Sequence, residues 1–129
     1  MARILIVDDD IMFLSLLRDL LAPEGHDILE ATNGIEALDI FREASVDLVV
    51  TDIVMPEKEG LQTILELKKE SPTSKIIAIS GGGRPLNTNE DYLTAAKEFG
   101  AAVTFSKPFR PTEFLQAVRE LLDQPSDST

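Results

Sequence analysis

The sequence contains no cysteine, a single histidine, and only 12 lysines and arginines against 23 aspartates and glutamates. Without cysteine there is neither a disulfide framework nor a thiolate metal site, a composition compatible with a reducing cytosol. The one histidine, His26, has no second histidine or cysteine with which to complete a transition-metal site, and it reads as a surface residue. The basic residues are scattered, and a formal net charge of −11 opposes direct binding to nucleic acid, which needs clustered cations against phosphate. The apolar runs are far too short to span a bilayer, and Met1-Ala2-Arg3-Ile4 does not open a secretion signal. These absences point to a soluble, cytoplasmic protein with no membrane insertion.

What is present suits one domain. A chain of 129 residues, 43% apolar, can bury a core without staples. The domain is expected over residues 1–122, with 123–129 as a flexible tail. Short apolar runs alternate with amphipathic segments throughout. The pattern predicts strands over 3–7, 27–31, 47–51, 75–80 and 102–105, and helices over 11–21, 35–44, 60–70, 89–99 and 112–122. Phe114, Leu115, Val118, Leu121 and Leu122 form an apolar stripe on the last helix, and Ile35, Leu38 and Phe41 form one on the second. Both stripes are expected to be core. Punctuation agrees: Pro23-Glu24-Gly25 ends the first helix, Asn33-Gly34 precedes the second, Ser71-Pro72 follows the third and Gly100 closes the fourth. Five βα units with right-handed crossovers make a doubly wound α/β sandwich, a parallel sheet with helices on both faces.

In such a sheet the carboxyl ends of the strands share one edge, where side chains distant in sequence converge. Four polar signals sit at those ends: Asp8-Asp9-Asp10, Asp52, Ser80 and Lys107-Pro108. Asp10 is best explained as a helix cap. Three adjacent carboxylates exceed what a cap requires, however, and like charges held together call for a cation. A hard divalent ion such as Mg²⁺, which takes oxygen ligands and few carboxylates, suits Asp8 and Asp9 with Asp52 nearby. Taken alone, Asp52 reads equally well as a turn-initiating aspartate. With a cation beside it, its carboxylate can act as a nucleophile toward phosphorus. Ser80, followed by Gly81-Gly82-Gly83, reads either as the mouth of a flexible loop or as a donor to a phosphoryl oxygen; the run is not a P-loop, since no Gly-Lys-Ser/Thr follows. Lys107 is either an exposed cap on the sheet edge or a phosphate partner, and a cis bond to Pro108 would aim it inward.

Together these residues resemble a response-regulator receiver domain of two-component signalling. The resemblance runs from about Arg3 to Leu122 and rests on Asp8-Asp9, on Asp52-x-x-Met55-Pro56-x-x-x-Gly60, on Ser80, and on Lys107-Pro108-Phe109 in the family's order. It implies a flavodoxin-like five-stranded sheet of order 2-1-3-4-5 with five helices. It also implies that Asp52 accepts a phosphoryl group from a histidine kinase or histidine phosphotransfer protein. Asp9, Asp52 and the Val54 carbonyl would hold Mg²⁺ with Asp8 in support, Lys107 would pair with the phosphoryl group, and Ser80 would move toward it. The message would pass to a downstream protein, with a homodimer on phosphorylation as one form of output, and self-catalysed hydrolysis would be incidental to the switch. Nothing remains after Thr129 to serve as an output domain, so the chain reads as a single-domain regulator or a receiver cut from a larger protein.

Two positions depart from the family. The place three residues before the lysine, usually aromatic, is Thr104, and Phe105 should point to the opposite face as core. The segment 81–90 is a few residues longer than is usual and rich in Gly, Pro and Asn, so the fourth helix is expected to start late or to be mobile. Lys58, Glu59, Arg84 and Tyr92 are candidates for a partner-facing rim, though ordinary surface explains each of them. A rival reading treats Asp8-x-Asp10 as the start of a haloacid-dehalogenase-like phosphatase with Asp8 as nucleophile and Asp10 as acid/base, but residues 116–129 supply no convincing match to the late acidic pair it needs. A flavodoxin-like fold that only binds a partner is a third reading, and it leaves the four strand-end groups unexplained.

Overall fold

Runs of aliphatic and β-branched residues become five strands: β1 (Arg3–Val7), β2 (Asp27–Ala31), β3 (Leu48–Asp52), β4 (Ile76–Ser80) and β5 (Val103–Ser106). Between and after them lie α1 (Ile11–Leu21), α2 (Gly34–Glu43), α3 (Glu59–Glu70), α4, whose described residues are 96–99, and α5 (Pro111–Asp123). This computed structural model describes residues 2–53, 59–80 and 96–123, the side chains of 59 and 60 excepted. All strand pairs are parallel, and the order is β2-β1-β3-β4-β5, the flavodoxin-like arrangement. The expected strands match to within one residue. The shift places Asp52 inside β3 as its last residue. Helix α5 runs through Asp123, and residues 124–129 of the expected tail lie outside the described residues.

The central strands are buried on both faces, so each alternates between two cores rather than between core and solvent. Leu5, Val7, Val49 and Ala78 pack with Ala37 and Leu38 of α2 and with Ile64 and Leu67 of α3. Ile4, Ile6, Val50 and Ile79 pack on the other side with Leu14 and Leu17 of α1 and Phe114 and Val118 of α5. The stripe on α5 is core, as expected, with Leu115 and Leu122 partly buried at its margins. Phe105 also joins this side, its ring 5.8 Å from that of Phe114.

The stripe assigned to α2 needs correction. Leu38 is buried and Phe41 packs against the core, but Ile35 is 74% exposed. Each helical residue turns about 100°. The inward face is set by Gly34, Ala37, Leu38 and Phe41, and Ile35 falls well to its side.

Capping explains where the helices begin. The Asp10 carboxylate accepts the Met12 N–H at 3.0 Å, and Asn33 Oδ1 accepts the Glu36 N–H at 2.8 Å. Glu36 reaches back to the Thr32 N–H at 2.7 Å, which holds its carboxyl below the ordinary range. Helix α1 tightens into a 3₁₀ turn over Ala22–Glu24, closed by Gly25 at φ 93°. Gly100 closes α4 at φ 125°, its N–H donating to the Ala96 carbonyl at 3.1 Å.

Candidate functional site

Strand register sets the site. Val7 lies opposite Thr51, so the next residues, Asp8 and Asp52, leave adjacent strands at one height. Parity sets their direction. Residues Ile4 and Ile6 of β1, Leu48 and Val50 of β3, and Val103 and Phe105 of β5 all face α1 and α5. Continuing the alternation two residues at a time puts Asp8, Asp52 and Lys107 on that same side of the carboxyl edge.

The side chains meet there. Asp8, Asp9 and Asp52 each offer a carboxylate oxygen, and these oxygens all lie within 4.8 Å of one another. Asp8 and Asp52 are buried, at 1% and 6% exposure, while Asp9 is exposed. Lys107 Nζ stands 3.2 Å from Asp8 Oδ2 and 3.6 Å from Asp52 Oδ2, bridging the two buried acids. Strands are spaced about 4.8 Å apart, so a residue of β5 starts two strands away from β3, and the long lysine stem covers the gap. The Lys107–Pro108 peptide bond is cis. The Asp10 N–H donates to Asp8 Oδ1 at 2.8 Å, so Asp10 serves as helix cap and as backbone donor to the cluster.

Electrostatics follow from this crowding. Burial, helped by the negative charge of Asp52, pushes the Asp8 carboxyl up to about 6, against the lowering pull of the Asp10 N–H and of Lys107. Three carboxylates with one bridging ammonium leave an excess of negative charge. An all-oxygen donor set with one member open to solvent is what a hard divalent cation takes. The acidic pocket therefore fits a metal ion.

Ser80 is placed differently. It is fully buried at the end of β4, and its carbonyl accepts the Lys107 N–H at 2.8 Å. By parity it follows Ile76 and Ala78, which face α2 and α3, so it reaches the edge from the other side of the sheet. The structure thus gathers Asp8, Asp9, Asp52 and Lys107, and ties Ser80 to the lysine through the backbone. Val54, Gly81-Gly82-Gly83, Lys58, Arg84 and Tyr92 lie outside the described residues, as does the Glu59 side chain. His26 is half-buried at the opposite edge, where its Nδ1 accepts the Ala2 N–H at 3.3 Å.

One contact is not foreseen from sequence. The Phe13 ring lies under Lys107, with Nζ 3.8 Å from its centroid. Phe13 sits beside the inward stripe of α1, and nothing local flags it, because its partner is at the far end of the chain.

Comparison with known proteins agrees with this arrangement. A family model described as the response regulator receiver domain matches residues 4–119. The chain is 36% identical over 120 residues to chemotaxis protein CheY of Thermotoga maritima, covering 92% of this chain and 96% of that protein. It is 32% identical over 120 residues to sporulation initiation phosphotransferase F of Bacillus subtilis, covering 93% of each. A crystal structure of a response regulator receiver domain protein from Clostridium thermocellum superposes with a TM-score of 0.85 at 30% identity, covering 95% of both chains.

Proposed function

Because the chain belongs to the response regulator receiver family of two-component systems, we propose that it is a phosphorelay switch in which Asp52 accepts a phosphoryl group from a histidine kinase or histidine phosphotransfer protein. CheY-like receivers are signalling switches rather than classical enzymes. The observation that carries the reading is Lys107 bridging buried Asp8 and Asp52, with Asp9 beside them.

The transfer balances simply. A carboxylate oxygen of Asp52 attacks phosphorus, the P–O bond forms as the P–N bond to the donor imidazole breaks, and the imidazole nitrogen leaves with the electron pair. Lys107 lies close enough to Asp52 to turn its ammonium from Asp8 toward the incoming phosphoryl oxygens. The Ser80 hydroxyl would donate to another of them. Asp9, Asp52 and the Val54 carbonyl are the proposed Mg²⁺ ligands, with Asp8 supporting them. When bound, the ion offsets the repulsion between nucleophile and phosphoryl group.

The new charge at Asp52 would then redraw the contacts of Ser80 and Lys107 and bias the surface offered to a downstream protein, or to a second copy of the chain. A cytoplasmic location accompanies this reading, and among the described residues no helix is long and apolar enough to cross a membrane.

Incubation with Mg²⁺ and acetyl phosphate, followed by mapping of the labelled residue, tests the proposal. Label is expected on Asp52, and Asp52→Asn should lose at least about 100-fold in labelling while melting normally, since the nucleophile is gone and the shape is kept. Label on Asp8 would instead establish the phosphatase chemistry.

A further inference from the structure

We infer that Phe13 is a positioning residue for Lys107, its ring face holding the ammonium where the phosphoryl transfer proposed above needs it. The inference rests on that reading of Lys107 and adds a residue to it.

A lysine is a poor choice where fixed geometry is required. Its ammonium is a compact charge on a flexible four-carbon stem, free to swing into solvent. Lys107 is held between unequal partners, 3.2 Å from Asp8 and 3.6 Å from Asp52, and its side chain is still 21% exposed. The two buried acids fix its distance to each but leave the stem free to pivot, above all when Asp52 changes its charge. The Phe13 ring supplies a third contact that does not depend on the state of the acids. Its centroid is 3.8 Å from Nζ, well inside the range over which a cation is attracted to an aromatic face.

The ring is itself anchored. Phe13 meets Phe109 edge-on at 6.1 Å, and Phe109 lies 5.2 Å from Phe114, which is fully buried between α5 and the sheet. Phe105 of β5 closes the group at 5.5 Å from Phe109. A chain of rings therefore runs from the immobile core to the ammonium. Phe13 packs at the margin of the core, but that packing alone does not call for a ring face turned toward Lys107. It is half-buried, and with Phe109 it walls an apolar cavity of about 500 Å³ whose rim includes Lys107. An aliphatic residue could line that cavity, but only an aromatic face attracts a cation.

The test is a double-mutant cycle on the rate of Asp52 labelling by acetyl phosphate at saturating Mg²⁺, in the full chain. Phe13→Leu keeps the apolar bulk and removes the ring, and a loss of about 3- to 10-fold is expected, the kinetic equivalent of one cation–π contact. Phe13→Tyr keeps the face and should restore the rate. In a Lys107→Gln background Phe13→Leu should have no effect, because the residue it positions is gone. Equal losses in both backgrounds, or failure of Phe13→Tyr to restore the rate, would overturn the inference and leave Phe13 a packing residue. Proton NMR gives a second readout that does not depend on catalysis: the Lys107 ε-methylene should lie upfield under the ring in the wild type and return to its usual position in Phe13→Leu. Its staying in place would overturn the inference even if the variant proved unstable. Failure of the parent reading looks different, since Lys107→Gln alone would then label as fast as the wild type.

Discussion

Asp8 is 1% exposed beside a second buried carboxylate, and the one ammonium of Lys107 offsets the pair only in part. Its carboxyl is raised from 3.8 to about 6, first by burial and then by Asp52. Between those values the folded protein holds a proton that the unfolded chain has released. The group's contribution to stability is thus fully present below about pH 4 and lost as pH rises through about 6. At pH 7 the ionised group would cost the metal-free fold on the order of 1–3 kcal/mol, at 1.36 kcal/mol per pKa unit. Asp8→Asn keeps an oxygen for the Asp10 N–H and removes the charge. In EDTA this variant should be more stable than the wild type by about that amount at pH 8 and nearly equal to it at pH 4. Urea melts at the two pH values decide the matter, and an Asn variant weaker than wild type at pH 8 would show that the Lys107 pair outweighs the burial.

At the scale of elements, two glycines separate backbone strain from crowding. Gly25 has φ +93° and open space within 4 Å of where a Cβ would stand, whereas at Gly100, with φ +125°, a Cβ would come 2.6 Å from Lys68 Cγ. That lysine cannot easily yield, since its ammonium donates to the Pro72 and Ser74 carbonyls at 2.8 and 2.9 Å and so ties the end of α3 to the turn before β4. Gly25→Ala should therefore cost about 1 kcal/mol, and Gly100→Ala about 2–3 kcal/mol. Thermal melts of the two variants check the order, and equal costs would mean that Lys68 moves aside freely. Local signals such as these glycines, the Asn33 and Asp10 caps and the βα alternation are legible in the sequence, because each acts within a few residues. Ile35 departs from expectation for a related reason: an apolar spacing of three fits a stripe, but which stripe faces inward depends on where the sheet lies. Phe13 carries no signal in the sequence because its meaning lies in a contact between the two ends of the chain.

For the molecule as a whole, the convergence of Asp8, Asp9, Asp52 and Lys107 is legible because parallel topology delivers every strand's carboxyl end to one edge, and the register decides only the height. Distances and protonation are not legible, since they depend on burial that no local pattern carries. The same convergence makes a prediction about global stability. A chain of net charge −11 that concentrates three carboxylates around one ammonium should be stabilised by a divalent cation in its folded form only. At 100 times the dissociation constant the gain would be about 2.7 kcal/mol. That gain corresponds to a rise of about 10 °C in Tm for a domain of this size. Sodium chloride at matched ionic strength should give much less, because screening does not fill a three-oxygen pocket, and Asp9→Asn should lose most of the Mg²⁺ effect while keeping the fold. The effect must also depend on pH. Protons compete for Asp8 below about 6, so the Mg²⁺-induced shift should be large at pH 8 and small at pH 5. A shift of the same size at both pH values, or one that sodium chloride reproduces, would mean that the acids hold no specific cation and that Asp52 lacks the counter-charge on which its proposed chemistry depends.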